Sequence, residues 1–281
     1  MFAADFQVGK SDEMCFPDAV DAASPWASWI MFLLNRYASP STPSDLRILA
    51  LEIINEPNLL YWPAVTPNAP CTVAQMIITA SAIGSAVNKQ CFMTGPGAAD
   101  SDDHPPAWMY YRDFTTGVAN ILDQSNWQDP TWVWSHHNYA DVLNDQGSKT
   151  QAPDRATKDR ATMRAHYVVA DLDTYSWAGV RTGGVPAVWI TEGGCHRPSL
   201  LGTWGAGATT LWPAGSSKDH QQAVLLQRNR SRLLGSEGAG VGLHMNYLFT
   251  SQPPTDYDSG LCDENGVPRT EPMATWTSFV P

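Results

Sequence analysis

The chain has 281 residues, 43% hydrophobic and 16% charged, which fits one large globular domain or two small ones and excludes a disordered or low-complexity polymer. Seventeen Lys and Arg against 28 Asp and Glu leave a net charge of −11; this repels phosphate backbones and acidic membrane faces, so nucleic acid is not an expected partner. No run of 18 apolar residues occurs, the candidate at 29–34 being broken by Asn35 and Arg36, so no spanning helix and no membrane partner are expected.

Residues 1–6 carry neither the basic nor the apolar segment of a secretory leader. Ser24-Pro25, a cap followed by proline in the first turn, opens a helix expected to run through Tyr37. A first strand is expected over 47–53 (RILALEI). Thr72 with Gln75 reads as a capping box for a helix reaching Lys89. Then follow a strand over 90–94, a helix over 106–122, a strand over 131–135, a helix over 159–177 and a strand over 186–191. A helix over 217–234, closed by Gly235, leads to a last strand over 241–249, and the tail through Trp276 reads as a closing loop and final helix. Short apolar runs alternating with longer helical ones are the pattern of parallel βα units, and most of these strands are too apolar for one wet face. Residues 139–158 and 193–216 are long polar loops after strand ends, where functional loops are expected. No linker or repeat divides the chain, so residues 1–281 read as a single domain.

Cys15, Cys71, Cys91, Cys195 and Cys262 show no CxxC or Cys/His metal spacing. One or two disulfides in an exported enzyme and five reduced thiols both fit, with the small number of lysines beside 12 tryptophans leaning the reading to an extracellular protein.

The first strand runs into Glu52-Ile53-Ile54-Asn55-Glu56-Pro57-Asn58, which places Asn55 and Glu56 at its C-terminal mouth. The fourth ends Trp189-Ile190-Thr191-Glu192-Gly193-Gly194, again a carboxylate at a strand end. Two carboxyl groups at the C-terminal face of a parallel α/β barrel are what glycosidic bond cleavage requires. Glu52 shares the face of Glu56 and reads as a buried structural acid paired with an arginine. His136-His137 lacks a third ligand in register, and no serine-hydrolase elbow, zinc-protease motif or phosphate loop occurs, while Gly238 to Gly242 breaks the dinucleotide spacing. No metal and no cofactor are expected.

Asn55-Glu56-Pro57, His137-Asn138-Tyr139 and Trp189-Ile190-Thr191-Glu192-Gly193, in this order and each after a strand, resemble the clan A glycoside hydrolases, the retaining (β/α)8 enzymes that include the family five cellulase-like proteins. The resemblance covers nearly the whole chain from the helix before Asn55 onward. It implies an α/β TIM barrel with these motifs at the ends of its fourth, sixth and seventh strands. The barrel would then be incomplete, with strands four to eight present and the first units, on the order of 100 residues, missing. The resemblance makes Glu56 the general acid/base and Glu192 the nucleophile, roughly 5 to 5.5 Å apart in a retaining site. It gives Asn55 the sugar 2-hydroxyl and Tyr139 a hydrogen bond to Glu192, and it lines the sugar site with His137, His136 being the alternative register.

Trp62, Trp108, Trp204 and Trp212 stand in loops after strands, where at least one is expected to stack on a sugar ring. The family's usual tryptophan on the last strand is replaced by Tyr247 and Phe249. The implied partner is an oligosaccharide or glycoside. Strands four and eight would be open edges, through which the chain would associate. Two alternatives are a carbohydrate-binding remnant without turnover, and a TIM-barrel enzyme of other chemistry such as a lyase, for which no metal, phosphate or Schiff-base site is visible.

Overall fold

The computed structural model describes residues 24–58, 69–99, 111–129, 131–138, 188–194, 213, 215–235, 241–246, 250–251 and 259–279. Among these the helices are α1 (Pro25–Tyr37), α2 (Ala69–Ala86), α3 (Tyr111–Gln124), α4 (Lys218–Leu234) and α5 (Thr270–Thr277). The strands are β1 (Ala50–Glu52), β2 (Phe92–Thr94), β3 (Ala98–Ala99), β4 (Trp132–His137), β5 (Val188–Glu192) and β6 (Val241–His244). They form one sheet in the order β1-β2-β4-β5-β6, with β3 on β4. The β1/β2 pair is parallel with Leu51 opposite Met93, and the β2/β4 pair is parallel with Thr94 opposite Val133. The helix expected over 159–177 and the loop over 139–158 lie outside the described residues.

The described residues group into two compact units, one holding those up to Ala99 with 111–136 and 188–189, the other holding 137–138 and 190 onward. In the first, α1 starts where the sequence places it, the Ser24 hydroxyl accepting from Ala27 N–H at 3.1 Å. It buries Ala27, Ile30 and Leu34, the one-face spacing of a helix, and leaves Trp29 and Phe32 stacked outside, ring centroids 5.3 Å apart. β1 begins three residues later than expected. The Arg47 guanidinium donates to the carbonyls of Thr42 at 2.8 Å and Pro40 at 2.9 Å, so this residue closes the preceding turn instead of opening a strand. α2 begins at Ala69, before Thr72, so the expected capping box sits inside the helix; Pro70 in the first turn starts it earlier.

At 18 residues α2 is also long and apolar enough to cross a membrane, against the expectation that no segment qualifies, and 61% of it is buried within the fold. Ala69, Ala74, Met76, Ile77 and Ala80 make it a core helix. β4 is buried at all six positions, as its apolar sequence requires, whereas β1 and β6, the ends of the strand order, are only partly covered.

In the second unit α4 runs between the two ends read from the sequence, Ser217 accepting from His220 N–H and Gly235 closing the helix. Its apolar face packs Leu225 and Leu226 with Leu261 against Met273, Trp276 and Phe279, each fully buried leucine contributing about 2 kcal/mol. His220 and Glu271 tie the starts of α4 and α5 at 2.7 Å.

Cys71 is disulfide-bonded while Cys91 and Cys262 are free, which removes the alternative of five reduced thiols. Burial pushes the Cys91 thiol up, against the pull of Lys89.

Candidate active site

In the first unit the segment after β1 is held by main-chain bonds to the β2–β3 connection. Ile53 N–H donates to Thr94 O at 3.0 Å and Glu56 N–H to Gly97 O at 3.0 Å. Asn58 completes the anchor: its amide donates to Ala99 O at 2.8 Å and accepts from Ala99 N–H at 3.0 Å, so a buried side chain imitates a strand partner. Gly97 (φ +57°) is required here, because a Cβ would meet Glu52 Oε1 at 2.5 Å and Ile54 O at 2.8 Å. Between these anchors Glu56 is held at φ +44°, a left-handed conformation that costs a non-glycine residue on the order of 1 kcal/mol and persists only where its surroundings over-determine it. Glu56 is half-buried and Asn55 exposed.

In the second unit the ends of β4 and β5 lie side by side, with Asn138 N–H donating to Glu192 O at 3.2 Å. Glu192 ends β5 with its carboxylate 20% exposed, and the fully buried His137 places Nδ1 3.8 Å from Glu192 Oε2. That separation is within ion-pair range and beyond a hydrogen bond. The carboxylate is partly accessible on one side and faces an imidazole on the other. Strand alternation turns the next residue, Asn138, away from His137. The Asn138 amide donates to Asn229 Oδ1 on α4 at 3.3 Å, and the Asn229 amide lies 3.3 Å from His244 Nε2 on β6. Burial of the His244 ring pushes its pKa down to about 4. The ring is neutral near pH 7, and since Asn229 spends its oxygen on Asn138, its NH2 donates to a bare His244 Nε2. Gly193 completes the arrangement, because any Cβ there would collide with Asn138 Oδ1.

Of the residues singled out from the sequence, the structure brings His137 and Glu192 together, stands Glu56 beyond the end of β1, and exposes Asn55. His136 is buried on the same strand. Tyr139, Tyr247, Phe249 and the four loop tryptophans lie outside the described residues. Asn58, Asn138, Asn229 and His244 were not singled out. Asn58 and Asn138 each stand inside a recognised motif, but only their contacts reveal a role, and nothing in the pattern of α4 marks Asn229.

No protein-family model matches the chain, and no curated protein matches it. Among solved structures it is similar to a glucosidase from Croceicoccus marinus (TM-score 0.55, 14% identity, 89% of this chain and 44% of that one). It is also similar to a GH39 β-xylosidase from Caulobacter crescentus (TM-score 0.49, 14% identity, 88% and 44%) and to a glycoside hydrolase family 44 xyloglucanase from Paenibacillus polymyxa (TM-score 0.42, 13% identity, 80% and 46%). The chain spans less than half the length of each. With the parallel sheet, the glucosidase likeness shows the fold: α/β, part of a TIM-barrel architecture.

Proposed function

We propose that the chain carries the catalytic half of a retaining O-glycosyl hydrolase that cleaves β-linked saccharides by double displacement. Glu192 is the nucleophile and Glu56 the general acid/base. The observation that carries the reading is Glu192 itself: an accessible carboxylate at a strand end, 3.8 Å from a buried imidazole, in a fold shared with a glucosidase.

In this mechanism the ionised Glu192 attacks the anomeric carbon while Glu56 gives its proton to the departing glycosidic oxygen. The glycosyl-enzyme ester is then opened by water, which Glu56, now a base, deprotonates. The imidazole of His137 limits the directions the nucleophile can take. Asn55, on the exposed side of its loop, reaches the sugar 2-hydroxyl when substrate is bound, and Tyr139 donates to Glu192. The cellulase-like, family five version of the reading, with one loop tryptophan as a sugar platform, rests on the motifs alone.

The test is hydrolysis of aryl β-glycosides with gluco, xylo and manno configurations, with the anomeric configuration of the first product followed by proton NMR. Hydrolysis with retention, abolished by Glu192→Gln, supports the proposal. Inversion of configuration, or turnover that survives the substitution, overturns it. Saturable sugar binding without turnover identifies the binding remnant instead.

A further inference from the structure

The chain Asn138–Asn229–His244 lies within one compact unit, yet the mechanism above uses none of its side chains. Its members come from the residue just after β4, from α4 and from β6. Asn138 is fully buried and Asn229 is 3% exposed. Buried amides far apart in sequence are retained only where their hydrogen bonds offset the loss of water. Each link has one direction: the Asn138 NH2 donates to Asn229 Oδ1, and the Asn229 NH2 donates to His244 Nε2, both at 3.3 Å. The first of these residues follows His137 directly and its N–H holds the carbonyl of Glu192 at 3.2 Å. On the other side Gly193 leaves just the room that the Asn138 amide fills. The strand ends carrying His137 and Glu192 are thus gripped by their main chain and, on the face away from the pair, by one amide.

We propose that Asn229 is a positioning residue: bonded to His244 on one side and Asn138 on the other, it fixes the end of β4 so that His137 stays against the Glu192 carboxylate. The inference rests on the hydrolase reading for its effect on turnover, but the linkage itself does not. α4 then does more than cover the sheet, because a single buried amide on its inner face reads the position of two strands. Replacing Asn229 by alanine leaves the Asn138 amide and His244 Nε2 unpaired and frees β4 to shift. A displacement near 1 Å at a reacting group lowers turnover by up to about 100-fold.

The experiment uses the full chain with Asn229→Ala, Asn138→Ala and the double variant, assayed on an aryl β-glycoside well below their melting temperatures. The expected result is a fall in kcat of about 10- to 100-fold for each single variant, KM within about twofold, and a double variant no worse than the poorer single one, because the two side chains act in series. Effects that multiply, or an unchanged kcat in folded Asn229→Ala, would overturn the proposal.

Imidazole 15N spectra separate this test from the hydrolase reading. If wild type proves inactive or Glu192→Gln retains turnover, displacement of the His137 signals by Asn229→Ala still supports the linkage, and unmoved signals sink it. If Asn229→Ala does not fold, the wild-type chain decides: a neutral His244 with bare Nε2 and slowly exchanging Asn138 and Asn229 amide protons support the chain, whereas an Nε2–H tautomer or fast exchange refutes it.

Discussion

The residues before β4 and those at its end are both polar clusters, and they differ in how far their carboxylates are covered, Asp129 being 7% exposed and Glu192 20%. Before the strand, Asp129 Oδ1 accepts from the Thr131 N–H at 2.9 Å and hydroxyl at 2.7 Å, and Oδ2 accepts from Ser81 at 2.7 Å. Lys89 donates to Thr131 at 2.8 Å and lies 3.9 Å from the same carboxylate. Both oxygens of the Asp129 carboxylate are engaged within the fold and its side chain is only 7% exposed. At the end of the strand, His137 and Glu192 stop 3.8 Å apart, and Asn138 Oδ1 is buried without a partner among the described residues. A covered cluster holds a fold; a carboxylate that reaches the surface at a strand end can meet a ligand. The same asymmetry, stability at the N-terminal face and chemistry at the C-terminal face, runs through parallel α/β barrels.

Substitutions at the two ends should therefore separate. The largest effect belongs to the acids of the proposed site. Glu192→Gln should remove hydrolysis of aryl β-glycosides to background. Glu56→Gln should lower kcat/KM by about 10²- to 10⁴-fold for poor leaving groups and much less for activated aryl groups, which depart without a proton. On the activated substrate kcat falls too, because Glu56 no longer activates the water of the second step. Equal losses of kcat/KM on both leaving groups, measured side by side, would remove Glu56 from the role of acid.

Acid should act next, through His244. The ring's folded pKa of about 4 lies below its usual 6.5, so the unfolded chain binds the proton first. Stability is present in full above pH 6.5, declines as the pH falls below that value, and by about pH 4 has lost on the order of 3 kcal/mol. Urea melts at pH 7, 5.5 and 4.5 should show this slope, and His244→Gln should flatten it.

The smallest effect is expected at the covered end. Asp129→Ala should cost about 2 kcal/mol by leaving the Ser81 and Thr131 donors and Lys89 without their acceptor, with kcat unchanged at temperatures where the variant is folded. A large fall in kcat without loss of melting temperature would erase the contrast between the ends.

Where the sequence carries local punctuation, it is legible to the residue. Ser24-Pro25 and Ser217 with Gly235 mark helix ends that the structure keeps, because a cap is decided by a hydrogen bond spanning three residues. β4 and β5 were expected from apolar runs, and each extends one or two residues further, to His137 and Glu192; pairing with a neighbour continues past the point where side-chain polarity turns. β1 went the other way, since Arg47 found carbonyls in its own turn. The membrane test failed in composition, not in pattern: α2 avoids charge because it is packed inside, a choice a window of residues cannot distinguish from a bilayer's.

By itself the sequence determined the alternation of strand and helix, the acidic character of the chain, the place of Asn55 and Glu56 in the segment after β1, and that of Glu192 at the end of β5, all consequences of chemistry within a few residues. Only the tertiary structure decided that His137 backs Glu192, that Asn58 locks the loop carrying Glu56, and that Asn229, 91 residues from Asn138, closes a polar chain to His244. Those contacts depend on which way a side chain turns out of a strand and which helix covers it. Such directions are set by packing across the whole fold, and no local run of residues encodes them.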